Sequence, residues 1–252
     1  MWMLLHGFTG SPKSWDAVVA RGDFDRDPLR PTLTGHGIEW RASAARSFQD
    51  EVARLSTLAS SLDPPRFVAG YSLGARVALG MLVASPECFD GALLIGVHPG
   101  LPDEDARAER RALDEARADQ LRTEGLPAFV AQWESQALFE TQRSLPEEIR
   151  RRQREIRLEH DPEGLAHSLE MLGLGAMPNY ARALSSNRVP ITLMAGARDS
   201  KFRDLAIGLA DRSPNIESVI VDGAGHNLIV EATDAVVTAL DRVQRAALEG
   251  PR

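Results

Sequence analysis

A chain of 252 residues, 43% hydrophobic and 26% charged, has ordinary globular composition and the length of one large α/β domain, which excludes a disordered or low-complexity scaffold. A net charge of −7 argues against general affinity for nucleic acid or an acidic membrane, and no apolar run nears the ~18–20 residues of a membrane span. The single cysteine, Cys88, leaves no internal disulfide and no cysteine-based zinc site, a usage that fits a reducing cytoplasm.

Met1–Leu5 opens the chain as a short buried strand; no basic segment or small-residue cleavage site accompanies it, so no secretory signal is expected. Pro28–Leu33 reads as a weaker second strand ending at Thr34-Gly35-His36-Gly37. Apolar residues at 48, 52, 55, 58, 59 and 62 have helical spacing over Phe48–Leu62. Arg66–Gly70 is a strand, Leu73–Val83 a helix, and Gly91–Val97 another unbroken apolar run. Strands without polar alternation, separated by helices, predict a mostly parallel sheet covered on both faces. The rhythm then stops. Glu104–Arg122, Leu126–Ser135, Pro146–Leu158 and Gly164–Leu172 are helical runs with no convincing strand among them, and sheet signals resume at Val189–Ala195 and Ile216–Val221, each followed by a helix (Phe202–Asp211 and Glu231–Leu248). The expected organisation is a core formed by residues 1–100 and 183–252, with residues 101–182 as an all-helical lid over the carboxyl ends of the strands, where ligands of such sheets bind.

Gly70-Tyr71-Ser72-Leu73-Gly74 matches G-x-S-x-G, and its strand–turn–helix setting marks Ser72 as a candidate nucleophile on a sharp turn. A serine hydroxyl needs a base, and the base an acid to orient it. Asp199 and His226 both follow late strands, in the chain order Ser, Asp, His; Asp204 and Asp211 fall inside a helical pattern, and Asp222 is too near His226 in sequence. His6-Gly7-Phe8-Thr9-Gly10 ends the first strand, so the N–H groups of Phe8 and Leu73 are the candidate oxyanion donors. His6 reads as structural and His36 as a turn residue packed beneath the site, whereas His160 and His167 look solvated. No helical histidine pair is spaced for a metal, and neither metal nor cofactor is expected. Only Lys13 and Lys201 are lysine; the other 27 basic residues are arginine, whose forked donors suit carboxylates.

Over essentially its whole length the sequence resembles the α/β-hydrolase superfamily. Within it, Leu5-His6-Gly7-Phe8-Thr9-Gly10, Gly70-Tyr71-Ser72-Leu73-Gly74-Ala75-Arg76, His98-Pro99-Gly100-Leu101, Asp199-Ser200-Lys201-Phe202 and Gly225-His226-Asn227 resemble the 2-succinyl-6-hydroxy-2,4-cyclohexadiene-1-carboxylate synthases of menaquinone biosynthesis. The resemblance implies an α/β-hydrolase fold with a helical lid and a lyase that eliminates pyruvate from an enolpyruvyl cyclohexene carboxylate. It implies Ser72, Asp199 and His226 as the catalytic set and Tyr71, Arg76, Arg110, Trp133, Arg157 and Lys201 as substrate-binding residues, with Arg111 and Arg154 as alternatives for the two lid arginines. The implied partner is a small polycarboxylate, not nucleic acid or membrane. A carboxylesterase using the same triad through an acyl-enzyme is the alternative, and a non-catalytic ligand sensor on this scaffold a third reading. Two departures from the family pattern stand out: Met1–Leu5 corresponds to what is usually the third strand, without the customary antiparallel hairpin before it, and Ala75 stands where glycine is frequent.

Overall fold

The computed structural model describes residues 1–43, 45–184 and 186–249; Ala44, Ser185 and the end of the expected 183–252 segment lie outside the described residues. Strands β1 (Trp2–Leu5), β2 (Phe67–Tyr71), β3 (Gly91–Ile95), β4 (Ile191–Gly196) and β5 (Ile216–Val221) form one parallel sheet in that spatial order. The register pairs Leu5 with Gly70, Tyr71 with Ile95 and Ile95 with Met194, so the loops leaving β1, β2 and β3 emerge side by side. Every residue of β1 to β4 is buried, because helices cover both faces; only the edge strand β5 is half-exposed.

The helices are α1 (Asp16–Arg21), α2 (Phe48–Ser60), α3 (Leu73–Ala84), α4 (Glu104–Ser135), α5 (Glu147–Arg157), α6 (Pro162–Leu172), α7 (Ala181–Leu184), α8 (Ser200–Ala210), α9 (Leu228–Glu231) and α10 (Thr233–Glu249). Strand alternation sorts the core into two layers. Met3, Leu5, Val68 and Leu94 pack with α2, α3 and α8, whereas Trp2, Leu4, Phe67, Ala69 and Leu93 face Trp15, Val18 and the apolar stripe Val236, Leu240 and Val243 of α10. Full burial of each such Leu, Val or Phe contributes about 1.5–3 kcal/mol. The insert has a core of its own, in which Leu121, Phe129 and Val130 of α4 meet Leu165 and Leu169 of α6, and Phe8 of the main body packs against it.

Helix ends follow the sequence chemistry. Asp103 caps α4 by accepting from the Ala106 N–H at 2.8 Å, and Asp161 caps α6 by accepting from the Glu163 N–H at 2.8 Å. The expected break between Arg122 and Leu126 is a kink within α4 at Gly125, whose φ of 81° only glycine takes readily, with Pro127 just beyond.

Two expectations are corrected. Pro28–Leu33 forms no strand: its pairing shrinks to one parallel bridge, Met3 with Leu29, in which the Leu4 N–H donates to Leu29 O and the Leu29 N–H to Trp2 O. Pro28 and Pro31 lack N–H donors and shorten any ladder here. His160 and His167 are not solvated. His160 is 6% exposed and bonded at both ring nitrogens, and the half-buried His167 places Nε2 2.9 Å from Ala45 O.

Candidate active site

Ser72 sits between β2 and α3 with φ 52° and ψ −106°, a conformation that costs a non-glycine residue about 1–3 kcal/mol and persists only where its surroundings enforce it. The enforcement is visible at the flanking glycines. A Cβ at Gly74 would lie 2.3 Å from Leu5 O, and one at Gly70 2.4 Å from Gly74 O, so this turn closes only without side chains there. The Ser72 N–H donates to Ile95 O at 2.8 Å, which ties the turn to the neighbouring strand.

His226 lies on the loop between β5 and α9, and Asp199 on the loop between β4 and α8. Asp199 Oδ2 is 2.6 Å from His226 Nδ1, and His226 Nε2 is 3.1 Å from Ser72 Oγ. The carboxylate therefore fixes the imidazole with Nδ1 protonated and leaves Nε2 to accept the serine proton. Asp199 also caps α8 by accepting from the Phe202 N–H at 3.4 Å. The imidazole is 2% exposed and packs against Phe202, with ring centres 4.5 Å apart, and against Tyr71 at 5.4 Å. Glu231 accepts from the N–H groups of both its neighbours, Gly225 at 2.7 Å and Asn227 at 3.0 Å.

The two expected oxyanion donors flank the serine. Leu73 is the first residue of α3, so its N–H has no intrahelical acceptor, and neither it nor the Phe8 N–H bonds to another group among the described residues. Phe8 is the second residue of a turn closed by the Gly10 N–H donating to Gly7 O at 3.0 Å.

Ser72, Leu73, Phe8 and His226 open onto a cavity of about 220 Å³ whose wall also carries Tyr71, Arg76, Arg110, Trp133 and Lys201, all six of the expected binding residues except Arg157. Arg76 lies one turn along α3 from the serine. It donates to Leu172 O at 2.8 Å and forms no ion pair among the described residues. Burial and the nearby Arg110 charge lower its pKa to about 9, so it remains a cation at neutral pH. Arg110 places Nε 3.0 and 2.9 Å from the two oxygens of the buried Asp114, leaving its terminal nitrogens uncommitted to that pair. Burial pushes the Tyr71 phenol well above its usual range, and it stays neutral. Trp133 stacks on Phe129 with its buried Nε1 unpartnered, and Lys201 Nζ lies 5.6 Å from the centre of the Phe202 ring.

Arg157 does not line that cavity. It donates to Glu134 Oε1 at 2.9 Å, lies 5.4 Å from the centre of the Phe139 ring, and lines a small pocket whose wall shares Phe8, Tyr71 and Phe139 with the serine's cavity. Its alternative Arg154 shares the Glu134 carboxylate, and Arg111 bonds Glu104 and Gly175 O, away from the cavity. The structure brings in residues that the sequence reading passed over. Arg117 donates to Asp114 Oδ1 at 3.3 Å with its guanidinium 5.4 Å from the centre of the Trp133 ring; its spacing of seven residues from Arg110, two helical turns, was the available signal. His98, held to a pKa of about 4 by burial and by Lys201, Arg76 and Arg110, accepts from the Gly100 N–H and keeps its proton on Nε2. Leu138 and Phe139, on a 3-10 segment over Ala137–Ser144, had no sequence signal. Four cations thus line the cavity against one buried carboxylate, Asp114, behind them.

A sharp serine turn at the end of a parallel strand, with acid and base on the loops after two later strands, defines a serine α/β-hydrolase architecture, and the chain belongs to the alpha/beta hydrolase family, a model of which matches residues 3–239. It is 35% identical over 250 residues to the 2-succinyl-6-hydroxy-2,4-cyclohexadiene-1-carboxylate synthase of Escherichia coli O7:K1, a match spanning 97% of this chain and 94% of that protein. The structure of MenH from S. aureus superposes with a TM-score of 0.91 at 29% identity, covering 98% of this chain and 94% of that one. A thermophilic esterase from Thermogutta terrifontis, 21% identical with a TM-score of 0.77 over 98% of this chain and 89% of its own, shares the fold. The protein is accordingly an enzyme of that superfamily.

Proposed function

We propose that the protein is the lyase of menaquinone biosynthesis that converts 2-succinyl-5-enolpyruvyl-6-hydroxy-3-cyclohexene-1-carboxylate into 2-succinyl-6-hydroxy-2,4-cyclohexadiene-1-carboxylate and pyruvate. One observation carries the reading: the hydroxyl–imidazole pair and a set of fixed cations share a single cavity. A neutral acyl group gains nothing from unpaired guanidinium, whereas a substrate with three carboxylates does.

In this mechanism Ser72 Oγ, its proton drawn toward His226 Nε2, takes the ring proton α to the succinyl ketone. Negative charge develops on the ketone oxygen and is received by the Phe8 and Leu73 N–H groups. The electron pair then moves through the ring double bond, and the carbon–oxygen bond to the enolpyruvyl group breaks. That group departs as the enolate and takes up the abstracted proton to become pyruvate. No bond to Ser72 forms. Arg76 holds a carboxylate beside the serine, Arg110 another, and Lys201 adds charge to the same cavity wall. Residues 101–182 act as the lid over this cavity, since α4 and α6 supply Arg110, Trp133, Ser168 and Leu169 to its wall. No described helix is long and apolar enough to cross a membrane.

The test is product analysis on the freshly generated enolpyruvyl intermediate. Pyruvate and the conjugated diene should form in equal amounts. Ester turnover with trapping of an acyl-Ser72, and no diene, would assign the protein to the hydrolases instead.

A further inference from the structure

We propose that His160 is a positioning residue that couples docking of the helical insert to assembly of the oxyanion hole. The inference rests on the oxyanion role given above to the Phe8 N–H.

Gly7–Gly10 is a tight turn in which Phe8 and Thr9 are the central residues, and Thr9 has φ 60°. A β-branched residue there is strained, so something outside the turn must hold it. The buried Thr9 cannot relax toward water, and its carbonyl is the handle. His160, between α5 and α6, places Nε2 3.1 Å from Thr9 O and accepts from the Gly37 N–H at Nδ1, at 2.8 Å. The backbone partners dictate the tautomer: Nδ1 faces a donor and must be bare, so Nε2 carries the proton and donates to Thr9.

His6 makes the matching bridge from the core side. Its Nδ1 lies 2.9 Å from Gly7 O, and its Nε2 accepts from the Leu33 N–H at 3.1 Å. Two imidazoles thus each join one carbonyl of the 7–10 turn to one N–H of the 33–37 loop, with the His36 ring between them, 4.7 Å from one and 5.3 Å from the other. Burial holds both bridging rings below the usual histidine range, His6 at about 3, so each keeps one donor and one acceptor at neutral pH. The difference lies in where they come from. His6 belongs to the strand side of the turn and is always present, whereas His160 arrives with the insert. Its neighbours dock alongside it: Glu159 pairs with Lys13 at 2.7 Å, and the Asp161 N–H approaches Gly37 O at 3.5 Å. When this segment is seated, the Thr9 peptide is fixed and the Phe8 N–H is aimed at the cavity; when it lifts, the turn loses the bond that holds its strained residue.

His160→Phe keeps the ring and removes both hydrogen bonds, and His160→Gln restores one donor and one acceptor. Elimination by the Phe variant should fall about 10- to 100-fold in kcat with KM changed less than about threefold, as for partial loss of an oxyanion donor, and the Gln variant should recover most of it. Amide exchange in the 7–10 turn should quicken in the Phe variant, while peptides bearing Asp199 and His226 exchange as in the wild type. An unchanged kcat in the Phe variant, unchanged exchange at 7–10, or a Gln variant as slow as the Phe variant would overturn the coupling. Exchange needs no substrate, and labelling of Ser72 by a fluorophosphonate uses the same donors. A wild type that labels readily but eliminates nothing would therefore refute the lyase reading while still leaving His160 open to both measurements.

Discussion

The two walls of the cavity are built on opposite principles. On the serine wall, Ser72 and Asp199 come from loops at the ends of fully buried strands and His226 from the loop after the edge strand β5, and each is fixed by short hydrogen bonds or by strained backbone. The cationic wall begins with Arg76 on α3 of the core, to which one helix of an insert adds Arg110 and Arg117, both about 30% exposed and held by a shared carboxylate. Chemistry requires atoms placed to fractions of an ångström, and strand ends deliver that. Recognition of carboxylates requires charge within reach, and a helix with its own small core suffices. One fold can therefore keep its reaction centre while an insert changes what it recognises.

Substitution on the two walls should give different kinetic signatures. The largest effect is expected for Ser72→Ala, which should lower kcat by about four orders of magnitude or more, with Asp199→Asn about 10⁴-fold down through the wrong histidine tautomer; steady-state kinetics with unchanged substrate binding would place both on the chemical side. Arg76→Ala should cost about 10- to 100-fold in kcat/KM, the worth of a charge-assisted bond to a carboxylate, with KM carrying much of the change. A wild-type KM for Arg76→Ala would erase the distinction between the walls. Arg117→Gln should be milder, about fivefold in KM, because its charge is already shared with Asp114 and partly open to water. Gly74→Ala tests the rigid wall from beneath. A Cβ against Leu5 O should destabilise the fold by about 1–3 kcal/mol in denaturant unfolding and reduce labelling of Ser72.

A pH dependence of stability follows from the buried imidazoles. His6 is lowered to about 3 and His98 to about 4, each chiefly by burial, whereas both take up a proton near pH 6.5 when the chain unfolds. The unfolded state therefore binds more protons between those values. The stabilisation is complete above pH 6.5 and is lost as pH falls toward 4 and then 3. His6 alone should account for about 2–3 kcal/mol between pH 6.5 and 4.5, read as a falling urea midpoint that is shallower in His6→Gln.

Legibility in the sequence followed the same division. Strands β1 to β4 could be read because burial on both faces leaves apolar runs, and the reacting residues because the serine turn needs glycines and its partners must follow strands. Arg76 and Arg110 entered through resemblance to the synthase family, and the cavity holds both. Arg117 could have been found from helical spacing alone. Arg157 entered by the same resemblance, but its pairing with Glu134 on another helix has no signal in the sequence. His160 was misread as solvated since nothing local marks it; its partners Thr9 and Gly37 lie more than 120 residues away. The 3-10 segment carrying Leu138 and Phe139 has no sustained period to detect, and the weak edge at Pro28–Leu33 was judged from side chains when missing donors decided it.

The most direct test is the rate at which freshly prepared enolpyruvyl intermediate becomes diene, followed by absorbance with wild type and Ser72→Ala side by side. Rapid conversion by wild type and buffer-level conversion by the variant is the predicted result. An intermediate that decays with folded wild-type protein no faster than in buffer alone would contradict the account.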